Sequence, residues 1–335
     1  MCKFKSAIAV KDSSESIGFR LLWSPFTESH EDLVRIFRLK DTRDNLARVE
    51  FFPPDLSTAH RVETYSLVID EARTPEWLTP EGEAEIVRRL RNYIATIIID
   101  GEMDLLVGGQ FVLAPHAKIN TVGEACVVNA MLGDAQIDEM LGTSKVGTML
   151  GNAKGCTMRG DAKVGTMLGT SQVGTMLDNA QIGTMWGNSQ IGAMRGTSQV
   201  GNMWGDSQVG NMWNTSKVGD MLGNSKVGDM LDTSQIGTMR GDSKIGAMRG
   251  NAQIGAMLGD AQIGEMRGDA KIGAMWDTSQ IGEMRGDAQI GEMRGDSKVG
   301  TMRGDAKVGN MWDYSQIGEL LDNSKVGVLK NRVEL

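Results

Sequence analysis

The sequence predicts a parallel β-solenoid built from a nine-residue repeat, preceded by a small N-terminal α/β domain. Three observations carry that prediction. Cut every nine residues from Ala117, the chain yields 24 units, the last ending at Arg332. The sixth residue is Met in 21 consecutive units, Met131 through Met311, and the chain has only 23 Met in all, so the register is not a product of the cutting. Ahead of this region the composition is that of an ordinary mixed domain, and five of the six prolines lie before residue 108.

Residues 1–107 read as the α/β domain, expected to cap the repeat. Ser6–Val10 and Phe19–Trp23 have strand-like apolar runs. His30–Leu39 has helical apolar spacing, with Ser29 placed as its N-cap. Arg48–Phe52 is a strand stopped by Pro53 and Pro54, and Thr64–Asp70 is another. The strongest helix begins after Thr79. The threonine can cap it, Pro80 suits the first turn, Glu81 and Glu83 meet the positive end of the helix dipole, and arginines follow.

Residues 108–116 form a junction, residues 117–332 the repeat and residues 333–335 a short tail. The usual unit is Ala/Ser, Gln/Lys, Ile/Val, Gly, a variable residue, Met, Leu/Trp/Arg, Gly/Asp and Asp/Asn/Thr. Nine residues are too few for a helical hairpin and suit one side of a solenoid coil. Strand alternation points the first and third residues inward and the second to water. The sixth must also point inward, yet three to six is an odd step. The strand therefore needs a bend, and Gly stands fourth in 20 units. The eighth and ninth residues make the second corner. Two units per coil, running in opposite directions across the core, set small first residues against long Met and keep the core width even. A four-sided section would use the same corners. Twelve coils at about 4.8 Å make a rod of roughly 58 Å. Open strand edges at its ends invite polymerisation. The N-terminal domain is expected to cover one end and the charged segment Leu329–Leu335 the other.

Composition narrows the function. A formal charge of −8 and a pI near 5.1 argue against broad nucleic-acid binding, which needs a basic face. No run of about 18 apolar residues marks a membrane span, and no secretory leader is visible. Cys2, Cys126 and Cys156 are scattered and fit a reducing, cytoplasmic setting. Neither they nor His30, His60 and His116 show metal-ligand spacing, so no metal and no cofactor is expected.

Any activity of the repeat must lie in its outward letters. The candidate row is the seventh position, with Trp186, Trp204, Trp213, Arg249, Arg267, Trp276, Arg285, Arg303 and Trp312. If alternate units stack, Arg249, Arg267, Arg285 and Arg303 form a column that could hold phosphates beside base-stacking Trp. Glu265 and Glu283, in the same units, cancel that field. The fifth position varies among Thr, Ala, Asn, Asp and Glu, so no regular threonine face for ordering ice forms. The unit Ala153–Asp161 breaks pattern, with Gly155 third and Cys156 fourth. Cys2, exposed as the N-terminal residue once Met1 is removed, is the nucleophile of an enzymatic reading. A structural cysteine is the simpler reading.

The stretches "MCK", "SHEDL", "RLKDTRDNLARVEFFPPD" and "YSLVIDEARTPEWLTPEGEAEIVRRLRNYI", followed by a short-period tail, resemble a group of phage and prophage proteins. The resemblance covers about residues 1–125 in motif detail and beyond that the style of the tail. The inward-facing rule of the unit is distantly similar to that of pentapeptide-repeat proteins. The resemblance implies a phage or prophage origin and a bacterial host, and it carries no site residues. The expected function is a non-enzymatic scaffold or binding protein that presents a rod to a macromolecular partner. That partner is a protein rather than a nucleic acid, and self-association through the solenoid ends is open to it. Two alternatives stand beside this: an inhibitor of a host nucleic-acid-binding or defence protein, and an enzyme of the N-terminal domain using Cys2.

Overall fold

A computed structural model of the protein describes residues 5–24, 27–42 and 44–330. The first four strands are β1 (Lys5–Lys11), β2 (Phe19–Leu22), β3 (Leu46–Phe52) and β4 (Ser66–Ile69). They form an antiparallel sheet in the order β2-β1-β3-β4. Both faces are covered. Helix α1 (His30–Ile36) packs Leu33 against Ile8 and Leu46 on one face. Helix α2 (Pro80–Ile97) brings Ile86, Leu90 and Ile94, one turn apart, against Ala7, Ala9, Val49 and Phe51 on the other. Their N-termini are held as the spacing predicts. Ser29 Oγ accepts the Asp32 N–H at 3.3 Å and Thr79 Oγ1 accepts the Gly82 N–H at 3.2 Å.

The remainder is a two-sided parallel β-solenoid. Strand β5 (Ile98–Ile99) leaves α2 directly; β6 (Glu102–Leu106) and β7 (Gln110–Leu113) follow. One strand then comes every nine residues, from β8 (Lys118–Val122) to β31 (Lys325–Lys330). Each strand pairs with the next but one, so the even-numbered strands form a 13-stranded sheet and the odd-numbered ones a 14-stranded sheet. Met248 lies opposite Met266 and Ile245 opposite Ile263, an offset of one 18-residue coil. The two-units-per-coil arrangement is thus the one adopted. At about 4.8 Å per coil the rod is roughly 60 Å long. Its first coil begins at Ile98, ahead of the nonapeptide register. Residues 98–116 therefore belong to the rod, and neither a domain end at 107 nor a separate junction at 108–116 describes them.

The core follows the inward rule. First, third and sixth residues are buried coil after coil, and Met158 through Met311 are fully enclosed. Burying each such Met contributes about 1.5–3 kcal/mol. Pairing runs through the second, third, fifth and sixth residues, as in Lys163 with Gln181, Val164 with Ile182, Thr166 with Thr184 and Met167 with Met185. The fourth residue is left out of the ladder. That is the bend which returns the sixth residue to the core.

The N-terminal domain does not lie across the end of the rod, as a cap would. It packs on the flank. The outward residues Val112, Ala130 and Leu132 are buried in the same cluster as Ile86, Leu90 and Ile94, with Leu150 packed against it. The physical reason is the absence of any linker: α2 runs straight into β5, so the helix is held beside the first coils. The start of the 13-stranded sheet stays open. Met103 is 39% exposed, whereas Ile119, paired with it one coil on, is 1% exposed. At the far end Leu329 is 49% exposed in the column where Met311 is 0%. Residues 331–335 of the expected C-terminal cover lie outside the described residues. No helix among the described residues is long and apolar enough to cross a membrane.

Candidate binding surfaces of the rod

The corners set which side chains face outward. The eighth residue takes a left-handed φ, 57–73° at its glycines from Gly133 to Gly304. Six units carry Asp or Asn there instead: Asp178, Asn214, Asp232, Asp277, Asp313 and Asp322, with φ of 55–59°. All six use the side chain in the same way. Each accepts the backbone N–H of the eighth residue one coil earlier, as Asp178 does from Gly160 at 3.1 Å and Asn214 from Gly196 at 3.2 Å. Ninth-position threonines bond the same corner in the opposite sense, with Thr215 Oγ1 donating to the Gly196 carbonyl at 3.1 Å. The Asp and Asn side chains at the eighth position are therefore accounted for by corner hydrogen bonds.

The nine candidate residues do not form one row. Successive units lie on opposite sheets, so the seventh position makes two columns on opposite edges. Trp213, Arg249, Arg267, Arg285 and Arg303 follow the 13-stranded sheet, and Trp186, Trp204, Trp276 and Trp312 follow the 14-stranded one. On the first edge, Arg285 sits 2.6 Å from Glu283 and 3.7 Å from Glu265, and Arg303 lies 3.5 Å from Glu283. Arg267 pairs with Glu265. The hydrogen bond from Arg285 holds the Glu283 carboxyl below its ordinary range, and Glu283 raises Arg285 in turn. The column is a zipper of alternating charge. Arg249 stands beside Ala247 and has no carboxylate partner among the described residues.

The second edge is aromatic. Trp186 and Trp204 stack with ring centres 4.9 Å apart and planes 6° from parallel. Arg294 and Lys330 both lie over the Trp312 ring, at 5.3 and 4.6 Å from its centre. On the other edge Arg195 lies 5.9 Å from the Trp213 ring centre.

Between the edges each broad face carries a groove the repeat pattern did not announce. One is floored by Gly192, Gly210, Gly228 and their successors to Gly318, walled by second-position Gln and Lys, and holds about 1260 Å³. A second, of about 1010 Å³, runs along the other face from Gln199 to Gly309. The groove on the first face begins at Gln190–Gly192, beyond the last fourth-position side chain of that column. That column reads Asp104, Asn120, Asp138, Cys156 and then glycine from Gly174 on. Asn120 donates to Asp104 at 2.8 Å and the Cys156 thiol to Asp138 at 3.6 Å. Cys156, unexplained by the repeat, is thus the last member of a polar ladder. Burial first, then the Asp138 charge, raises its thiol pKa. Cys126 lies in the core, where burial pushes its thiol up to about 11.

Cys2 lies outside the described residues. The structure brings His30, His60 and His116 to separate places: His30 at the start of α1, His60 after β3 and His116 at an exposed turn before β8.

No family model, no curated protein and no solved structure matches this chain.

Proposed function

We propose that the chain is a non-enzymatic binding rod whose edges recognise a protein partner in the cytoplasm of a bacterial host, in a phage-type setting. The observation that carries this reading is the exposure of Trp186, Trp213 and Trp276, at 43, 37 and 42%. The fold has no need of them. Leu168, Leu222 and Leu258 occupy the same position in neighbouring units of the tryptophan edge. Exposed Trp, stacked in pairs as at Trp186 and Trp204 or lying beside Arg as at Trp213, is the composition of protein-binding hot spots. The arginine edge, zipped to Glu265 and Glu283, has too little net field to gather a phosphate backbone. Inhibition of a host defence or nucleic-acid-binding protein would be one use of these edges.

Replacing Trp186, Trp204, Trp213, Trp276 and Trp312 together by Leu tests the reading without touching the core. The variant keeps its circular dichroism and melting behaviour and loses the proteins that the wild-type rod captures from host lysate. Neither rod binds duplex DNA or single-stranded RNA appreciably at physiological salt. Identical captured partners, or tight nucleic-acid binding with a steep salt dependence, would falsify it.

The open ends support self-association as a second property. Among the described residues, Leu320 and Leu329 present core positions and an open strand edge at one end, and Met103 presents a core position at the other, beside the outward and exposed Leu105. Light scattering across a concentration series should show association that Leu320→Lys with Leu329→Lys abolishes; a wild-type chain monomeric at every concentration removes this property.

A further inference from the structure

The face of the N-terminal sheet that carries α1 holds a group of three side chains from three elements. His30 opens α1, Glu50 lies in β3 and Asp70 follows β4. One ligating atom of each lies within 4.8 Å of the other two. His30 is 93% buried, being 7% exposed, so its ring is held in place. Its Nε2 stands 3.1 Å from the Val49 carbonyl oxygen. A carbonyl only accepts, so Nε2 carries the hydrogen. In the neutral ring, Nδ1 then bears a lone pair. That lone pair faces Asp70 Oδ2 at 3.5 Å. A cation or a proton between these two electron-rich atoms is stabilised by both. Arg48, on the same strand as Glu50, is held by Asp41 at 2.6 Å and Glu71 at 3.0 Å.

We propose that His30 Nδ1, Glu50 and Asp70 bind a divalent transition-metal cation of the zinc class. One imidazole and two carboxylates are a donor set such ions accept. With bond lengths of about 2.0–2.2 Å, tetrahedral donors sit about 3.3–3.6 Å apart. The His30–Asp70 separation of 3.5 Å already meets that spacing. Asp70 is 59% exposed in its side chain, so a small rotation can close the group and water can complete the coordination. The Nε2–H bond to Val49 is the outer support that metal-bound histidines use to fix ring orientation. Spacing rules miss this site because its ligands are twenty residues apart in sequence and meet only through sheet pairing and the placement of α1.

The test uses the full chain, stripped with EDTA, and zinc chloride as the probe. Calorimetric titration should show one saturable equivalent that raises the melting temperature. Asp70→Asn, exposed and harmless to the fold, should weaken binding by about tenfold or more, and His30→Gln likewise. His116→Gln with Cys156→Ser should leave the equivalent intact. Nitrogen-15 NMR of the histidine rings should show His30 Nδ1 shifting from its metal-free position to a metal-bound one. Binding that survives Asp70→Asn and His30→Gln, no saturable equivalent, or a His30 Nδ1 that stays protonated in excess zinc would each overturn the proposal, the last leaving an imidazolium–carboxylate ion pair.

Discussion

A methyl group on Gly210 would stand 2.2 Å from the carbonyl oxygen of Gly192, one coil below. The same relation recurs up both faces, from Gly165 over Gly147 at 2.5 Å to Gly327 over Gly309 at 2.6 Å. The fourth residue is therefore glycine for want of room and not for its φ. The stacked backbones come close enough for weak C–H···O contacts, and the grooves on the two faces are the outward result.

Gly210→Ala should destabilise the rod. Alanine lowers the backbone entropy of the unfolded chain, which favours folding, but the clash is with backbone that cannot rotate away, and overpacking costs about 1–3 kcal/mol. Because each coil contacts only its neighbours, the loss should appear as faster amide exchange in the coils around Gly210. Gly101→Ala, with nothing within 4 Å of the added carbon, is the control and should be neutral or slightly stabilising.

Gly155→Ala should do the opposite. Gly155 occupies a third, inward position, and a Cβ there would meet Val173 Cγ2 at 3.7 Å and Met149 Cε at 4.0 Å, ordinary contact distances. With no positive φ to violate, the gain is about 0.4–1 kcal/mol. A lowered denaturation midpoint would show that the irregular unit needs its glycine.

Met266→Ala should cost about 2–5 kcal/mol, the range for cavities in rigid cores. Met248→Asp with Met266→Asp, paired in register, should open the rod locally, since two buried carboxylates would face each other. Limited proteolysis near residue 257 in the double variant is the measurement; protection equal to wild type would place the Met column outside the core.

Asp178 separates corner strain from corner bonding. Asp178→Ala keeps the left-handed backbone and loses the bond to Gly160, so it should cost about 1–2 kcal/mol. Asp178→Gly loses the bond but relieves the strain and should lie close to wild type. Asp178→Asn should also, because Asn214 makes the equivalent bond to Gly196. Chemical denaturation of the three variants in parallel checks the order.

The two described cysteines should react at different rates. Thiolate is the reactive form, so alkylation of exposed Cys156 by iodoacetamide should climb about tenfold per pH unit below its pKa. Burial and Asp138 both raise that pKa, so Asp138→Asn removes one raising cause and should shift the rate profile to lower pH. Cys126, buried with its thiol at about 11, should stay unmodified in the native protein. Mass spectrometry of timed reactions reads both sites.

Much of the rod is legible in the sequence because each coil repeats one local problem. Alternation, the odd step from the third to the sixth residue and the small–large pairing of Ala or Ser with Met are each one-coil arguments, and 21 Met in register repeat them. The caps at Ser29 and Thr79 are legible for the same reason, being bonds to residues three positions on. In the candidate row the Arg249–Arg303 column and its two glutamates are legible from alternate stacking, whereas the Trp186–Trp204 stack is not. The row's division into an arginine–glutamate edge and a tryptophan edge depends on which sheet each unit joins.

The sequence by itself determined the coil: its length, what it buries and where it bends, since those follow from side-chain size and backbone sterics within 18 residues. Only the tertiary structure decided what depends on contacts between distant segments. It seated the domain on the flank through Val112, Ala130 and Leu132, because α2 enters β5 without a linker. It completed the Asp104–Cys156 ladder and opened the grooves beyond it. It also brought His30, Glu50 and Asp70 together on one sheet face, a meeting no local spacing encodes.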